Sequence, residues 1–170
     1  MEDFKTLSLD IDESYPEGLS PEDTVRYIAK KKCDAAAALC APDDLIITAD
    51  TMVFLDNDRL GKPRDEDDAF RMLRELAGRG HTVCTGVSVR RGAQEERFAV
   101  STRVFFRPMT DDEIRAYIKT GEPMDKAGAY GVQSRGALFV ERIDGDFFNV
   151  MGLPVEQLGL VLARFGVKLL

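Results

Sequence analysis

The sequence predicts an α/β domain in which strands and helices alternate along one chain. Three observations carry that reading. Runs of strand length and strand pattern occur at Phe4–Leu9, Leu45–Leu55, His81–Val89 and Arg97–Phe106. Amphipathic stretches of helix length open at Ser20, Asp65 and Thr110. No repeat, low-complexity tract or linker divides the 170 residues, so 1–170 reads as one domain with a core of its own, with room for two lobes.

The elements follow in order. Phe4–Leu9 reads as a short strand. In Ser20-Pro21-Glu22-Asp23 a capping serine precedes a proline at the first helical position, and acids then meet the positive end of the helix dipole. That helix should reach about Leu39, ahead of Ala41-Pro42, with Val25, Ile28, Ala29 and Ala36 on its inner stripe. Leu45–Ala49 is continuously apolar, as in a central strand covered on both faces, and Asp50 stands at its C-terminal end. Met52–Leu55 continues as a strand into a turn at Asp56-Asn57-Asp58.

Asp65–Ala77 is a helix with Ala69, Met72, Leu73 and Leu76 inward, ended by Gly78 and Gly80. His81–Val89 and Arg97–Phe106 are strands joined near Arg91-Gly92-Ala93, and His81 at a strand start has a structural hydrogen-bonding role by default. Thr110-Asp111-Asp112-Glu113 opens a helix that stops at Gly121. A glycine-rich loop follows, then a hairpin of Ala137–Ile143 with Phe147–Val150 about Asp144-Gly145, and a last helix from Pro154 to about Phe165.

Composition narrows the chemistry. A net charge of −7 disfavours broad nucleic-acid binding, although a small phosphorylated ligand needs only a local basic pocket. No apolar run has membrane-spanning length, and Met1–Asp10 carries acids in place of an apolar leader, so a cytoplasmic protein is expected. Three cysteines without CxxC spacing argue against a zinc site or a disulfide framework, and Cys33 and Cys40 read as buried small apolar residues. One histidine excludes a multi-histidine metal centre. Hydrolytic chemistry would rest on carboxylates, lysines and a hard divalent cation.

Four segments are more polar than their positions require: Asp10-Ile11-Asp12-Glu13, Ala49-Asp50-Thr51, Gly61-Lys62-Pro63, and Gly121 to Gln133. A carboxylate at a strand end can hold a metal or orient water, lysines serve as point charges against phosphate, and glycines let backbone N–H groups approach a ligand. Taken singly, each has an ordinary reading as turn, cap or solvated charge. Lys30-Lys31-Lys32 reads as one solvated helix face, and Lys126 as a surface partner of Glu122 or Asp125.

Taken together these segments resemble the Maf-like nucleotide pyrophosphatases. The resemblance runs from about Phe4 to Pro154. Further marks are Gly78-Arg79-Gly80-His81, Thr85-Gly86-Val87, Asp125-Lys126-Ala127-Gly128-Ala129-Tyr130-Gly131 and Asn149-Val150-Met151-Gly152-Leu153-Pro154. It implies a Maf/ITPase-like fold: a twisted mixed sheet flanked by helices, with two lobes around a cleft. It implies hydrolysis of a nucleoside triphosphate to monophosphate and pyrophosphate, assisted by Mg²⁺ or Mn²⁺.

By matching position, Asp50 would be the catalytic base and, with Glu13, a metal ligand. Lys32, Lys62 and Lys126 would contact phosphates. Thr51 and Gln133 match positions that separate the branches, here resembling the one acting on dTTP and UTP. The family's N-terminal strand and its serine- and arginine-bearing phosphate loop have no counterpart ahead of Phe4. A shortened form is therefore expected, with unpaired sheet edges that favour a homodimer, or with nucleotide binding but impaired turnover.

Overall fold

The structure, a computed structural model, describes residues 4–56 and 58–169. It has an α/β architecture built on one five-stranded sheet. The strands are β1 (Ile46–Leu55), β2 (Asp58–Leu60), β3 (Gly80–Arg91), β4 (Gln94–Phe106) and β5 (Val140–Asp144). Their order is β2-β1-β3-β4-β5. Every pairing among the described residues is antiparallel, so the mixed character expected of the sheet is not found there.

Helix α1 (Pro21–Ala37) covers one face. Its N-cap Ser20 accepts from the Asp23 amide, with Pro21 in the first turn, as the sequence dictates. Val25 and Ile28 pack on Met52 and Cys84. The approach is close: a Cβ at Gly86 would lie 2.3 Å from the Val25 carbonyl carbon. The other face carries α2 (Glu66–Leu76), α3 (Asp111–Ile118) and three short 3₁₀ turns over Val53, Leu55, Val83, Val104 and Phe106. Helix α5 (Val155–Arg164) covers Ile47, Ala49, Val87 and Val89 at the other end of the same face. Side chains alternate across a strand, so Thr48, Asp50 and Met52 face α1, and Thr51 and Val53 face the opposite layer.

Four expectations are corrected. Phe4–Leu9 forms no strand. It is exposed except for the half-buried Leu9, and its backbone makes no hydrogen bond to another strand among the described residues. Residues 46–55 form one strand, so Asp50 lies in its middle, not at an end. The apolar run is covered on both faces as expected, but β2 pairs only Val53–Leu55, leaving residues 46–52 with a strand neighbour on the β3 side alone among the described residues. The expected hairpin about Asp144-Gly145 is β5 followed by α4 (Phe147–Met151). Asp146 caps that helix by accepting from the Phe148 amide, and helical geometry turns Asn149 inward to bond Val83 O and Thr102 Oγ1.

Smaller differences concern element ends. Helix α1 stops at Ala37, leaving Cys40 outside it and partly exposed, while Cys33 is buried. The expected turn at Asp56-Asn57-Asp58 includes Asn57, outside the described residues. His81 takes its expected structural role, buried with Nε2 2.8 Å from the Tyr130 hydroxyl. No helix among the described residues is long and apolar enough to cross a membrane.

Candidate active site

Three segments far apart in sequence meet on the α1 face of the sheet. The Lys32 ammonium, one turn from the end of α1, lies 2.7 Å from Asp50 Oδ1 and 2.9 Å from Glu13 Oε1. The three lysines of the helix are therefore not one solvated face. Lys30 pairs with Asp34, Lys31 with Asp12, and Lys32 turns toward the sheet. Asp50 is held there by its register in β1, opposite Gly86 of β3, and is 8% exposed. Its Oδ2 is buried without a hydrogen-bond partner among the described residues. An ionised carboxylate with an idle, buried oxygen is an acceptor waiting for a donor or a cation.

Burial raises the Asp50 pKa above the ordinary aspartate value. The hydrogen bond and charge of Lys32 pull it down, while Glu13 adds to the rise. Burial works against the Lys32 ammonium, but its hydrogen bonds to Asp50 and Glu13 prevail and raise its pKa. The charge of Arg59, on β2, also bears on Asp50. That guanidinium lies over the Tyr15 ring, 5.3 Å from its centroid. Arg59 lines a depression of about 370 Å³ with Arg71, Arg79, Asp56, Asp58 and Glu75. The sequence reading passed over Arg59 and Tyr15. Their only sequence signal is nearness to the Asp12-Glu13 and Gly61-Lys62 segments.

The remaining site residues group elsewhere. Thr51 faces away from Asp50, with its Oγ1 2.9 Å from Thr85 Oγ1. Lys62 is exposed, and its charge helps lower the pKa of Asp125, after the larger effect of Lys126. The Lys126 ammonium pairs with Asp125 at 2.7 Å, the surface pairing that spacing allowed. Gln133 is exposed on the same glycine-rich loop. A hydrogen bond from Gly128 N to Gly61 O draws that loop against the Lys62 segment. The structure thus unites Glu13, Lys32 and Asp50 in one contact cluster, and the Lys62 segment with the loop of Lys126 and Gln133 in another region. Among the described residues no group of three or more His, Cys, Asp or Glu is arranged to hold a metal.

The chain was compared with known proteins. Residues 1–165 match the family described as Maf-like protein. A dTTP/UTP pyrophosphatase of Bacillus velezensis is 48% identical over 97% of this chain and 87% of its own. A dTTP/UTP pyrophosphatase of Syntrophomonas wolfei is 46% identical over 98% and 89%, and one of Dictyoglomus turgidum 46% over 99% and 88%.

Proposed function

The chain belongs to the Maf-like family, and from that premise we propose that it is a nucleoside triphosphate pyrophosphatase acting on dTTP and UTP. Water attacks the α-phosphorus, the bond from that phosphorus to the oxygen bridging the α- and β-phosphates breaks, and pyrophosphate leaves with the nucleoside monophosphate remaining. One observation supports the reading most: Glu13, Lys32 and Asp50 converge, and Asp50 Oδ2 is a buried acceptor without a partner among the described residues.

The residues fit a hard divalent cation, Mg²⁺ or Mn²⁺. The donors are carboxylate oxygens, and an ammonium already lies between them where positive charge is stabilised. Glu13 and Asp50 would hold the cation, which would supply charge neutralisation at the phosphate oxygens. Asp50 takes the proton of the attacking water, and burial, by raising its pKa, makes it a stronger base than an exposed aspartate. Lys32 holds Asp50 ionised and offers its remaining donor capacity to phosphate. We assign Lys62 and Lys126 to the leaving pyrophosphate and Gln133 to the base, and Thr51, which faces away from Asp50 with its hydroxyl on Thr85, to the base across the edge of β1 that residues 46–52 leave open among the described residues.

A nucleoside triphosphate substrate suits a cytoplasmic protein. The side of residues 46–52 in β1 that has no strand neighbour among the described residues suits a homodimer, which sedimentation would reveal as a doubled mass. The function is tested by a pyrophosphate-release screen over nucleoside triphosphates, with Mg²⁺, with Mn²⁺ and with chelator. Release from dTTP and UTP that chelator abolishes is expected. Thermal stabilisation by nucleotide without release would instead identify a binding homologue without turnover.

A further inference from the structure

The loop that carries Lys126 and Gln133 closes around one carboxylate. Glu122 Oε1 accepts from the Tyr117 hydroxyl at 2.9 Å and from Gly136 N at 3.2 Å. Its Oε2 accepts from Ser134 Oγ at 2.8 Å and from Arg135 N at 3.2 Å. The Tyr117 hydroxyl, which donates its proton to Glu122, accepts from Gly131 N at 3.1 Å. Gln133 therefore stands between Gly131, tied to Tyr117, and Ser134 to Gly136, tied to Glu122.

Packing tightens the same ring. A Cβ at Gly136 would lie 2.5 Å from Gly131 O and 2.8 Å from the Tyr117 hydroxyl. A Cβ at Gly131 would lie 3.0 Å from Lys126 Cε, so the stem of Lys126 rests on the strand of backbone that Tyr117 fixes. Tyr117 is itself buried against Phe139 in the core. A carboxylate with four donors, two to each oxygen, is satisfied only in one arrangement of the loop.

We propose that Glu122, acting with Tyr117, is a positioning residue: its carboxylate gathers the backbone on both sides of Gln133 and the bed of the Lys126 stem, presetting both side chains for a nucleoside triphosphate. This rests on the substrate class proposed above. Ordering a loop before binding removes an entropy cost from association, and a base-reading side chain discriminates only when its orientation is fixed.

The test compares Glu122→Gln, Tyr117→Phe and Ser134→Ala with wild type. Whichever way the introduced amide turns, its NH₂ end faces one backbone N–H, of Gly136 or of Arg135, so that contact is lost and the hydroxyl beside it must reverse to accept, while shape is kept. The expected result for E122Q is a KM for dTTP raised ten-fold or more, with kcat changed less. The ratio of kcat/KM for dTTP to that for dCTP falls. Y117F moves the same way, and S134A moves the same way by less. A uniform loss of kcat on both nucleotides, with KM and the ratio unchanged, would mean a merely structural role and overturn the proposal, as would wild-type kinetics in a folded E122Q.

If E122Q does not fold, Y117F and S134A carry the same readouts. The variants are also melted with increasing dTTP and Mg²⁺. A smaller nucleotide-induced rise in Tm than in wild type supports positioning even if no turnover is found, and an equal rise overturns it. A wild type that hydrolyses nothing counts only against the proposed function.

Discussion

The Glu13–Lys32–Asp50 cluster and the glycine-rich loop from Gly121 to Phe139 are built on opposite principles. The cluster joins three segments distant in sequence through charge, Asp50 on a strand, Lys32 on a helix and Glu13 on the irregular segment before it, with Glu13 and Lys32 partly open to solvent. The loop is one contiguous segment held by charge-assisted hydrogen bonds to a single carboxylate, with Gln133 exposed and Lys126 partly so. The cluster keeps an unsatisfied oxygen on Asp50, whereas Glu122 has all its donors in place. An unsatisfied buried group costs stability and is available for chemistry, and a satisfied one supplies shape.

That contrast is most severely tested by removing the idle oxygen. Asp50→Asn is expected to lower kcat about 10²- to 10⁴-fold, the range for loss of a general base, without the change in dTTP:dCTP preference expected of loop variants. Steady-state kinetics on both nucleotides checks this, and equal losses from Asp50→Asn and Glu122→Gln in the same parameter would erase the distinction.

His81 anchors the base of the loop through Tyr130 and sets a pH limit. Burial lowers its pKa to about 4, and the charge of Arg103 adds to the effect. The unfolded chain therefore binds a proton below about 6.5 that the folded chain refuses. Stability is complete above that pH and is lost progressively as pH falls toward 4, by on the order of 3 kcal/mol. Urea melts of wild type and His81→Phe across this window should converge at low pH, and parallel curves would remove His81 as the cause.

Lys32→Met leaves Asp50 buried beside Glu13 with no ammonium. The expected destabilisation is about 2 kcal/mol, below the ~3–5 kcal/mol of a fully enclosed pair because Lys32 is a quarter exposed. Rescue at low pH is expected, since protonating Asp50 removes the unpaired charge, and a pH-independent loss would contradict the charge-held picture. At the other extreme, Arg26→Ala breaks an exposed pair with Asp23 and should change stability by less than about 0.5 kcal/mol. A larger change in Tm would show that surface charge matters more to α1 than burial.

Legibility in the sequence follows the same division. Helix starts were readable because caps are local: Ser20 takes the Asp23 amide, and Thr110 and Glu113 form a capping box. Glu13, Asp50 and Lys62 stood out as polar residues in or beside apolar or glycine-bearing segments, and Lys32 entered with the family resemblance. The inward turn of Lys32 alone among three lysines depends on α1 packing over β1, which no local pattern encodes. Strand order and the fusion of residues 46–55 into one strand depend on long-range pairing in the same way. Glu122 looked like a loop acid beside Lys126. Its role becomes visible only once the chain folds back to bring Ser134, Arg135 and Gly136 to its carboxylate.

The central claim is that Glu13 and Asp50, bridged by Lys32, form the seat of a metal-bound triphosphate. Its most direct test is Mn²⁺ binding followed by electron paramagnetic resonance in the presence of a non-hydrolysable dTTP analogue, for wild type, Glu13→Gln and Asp50→Asn. Binding weakened ten-fold or more in each variant is the predicted result. An affinity unchanged in both folded variants would contradict the account.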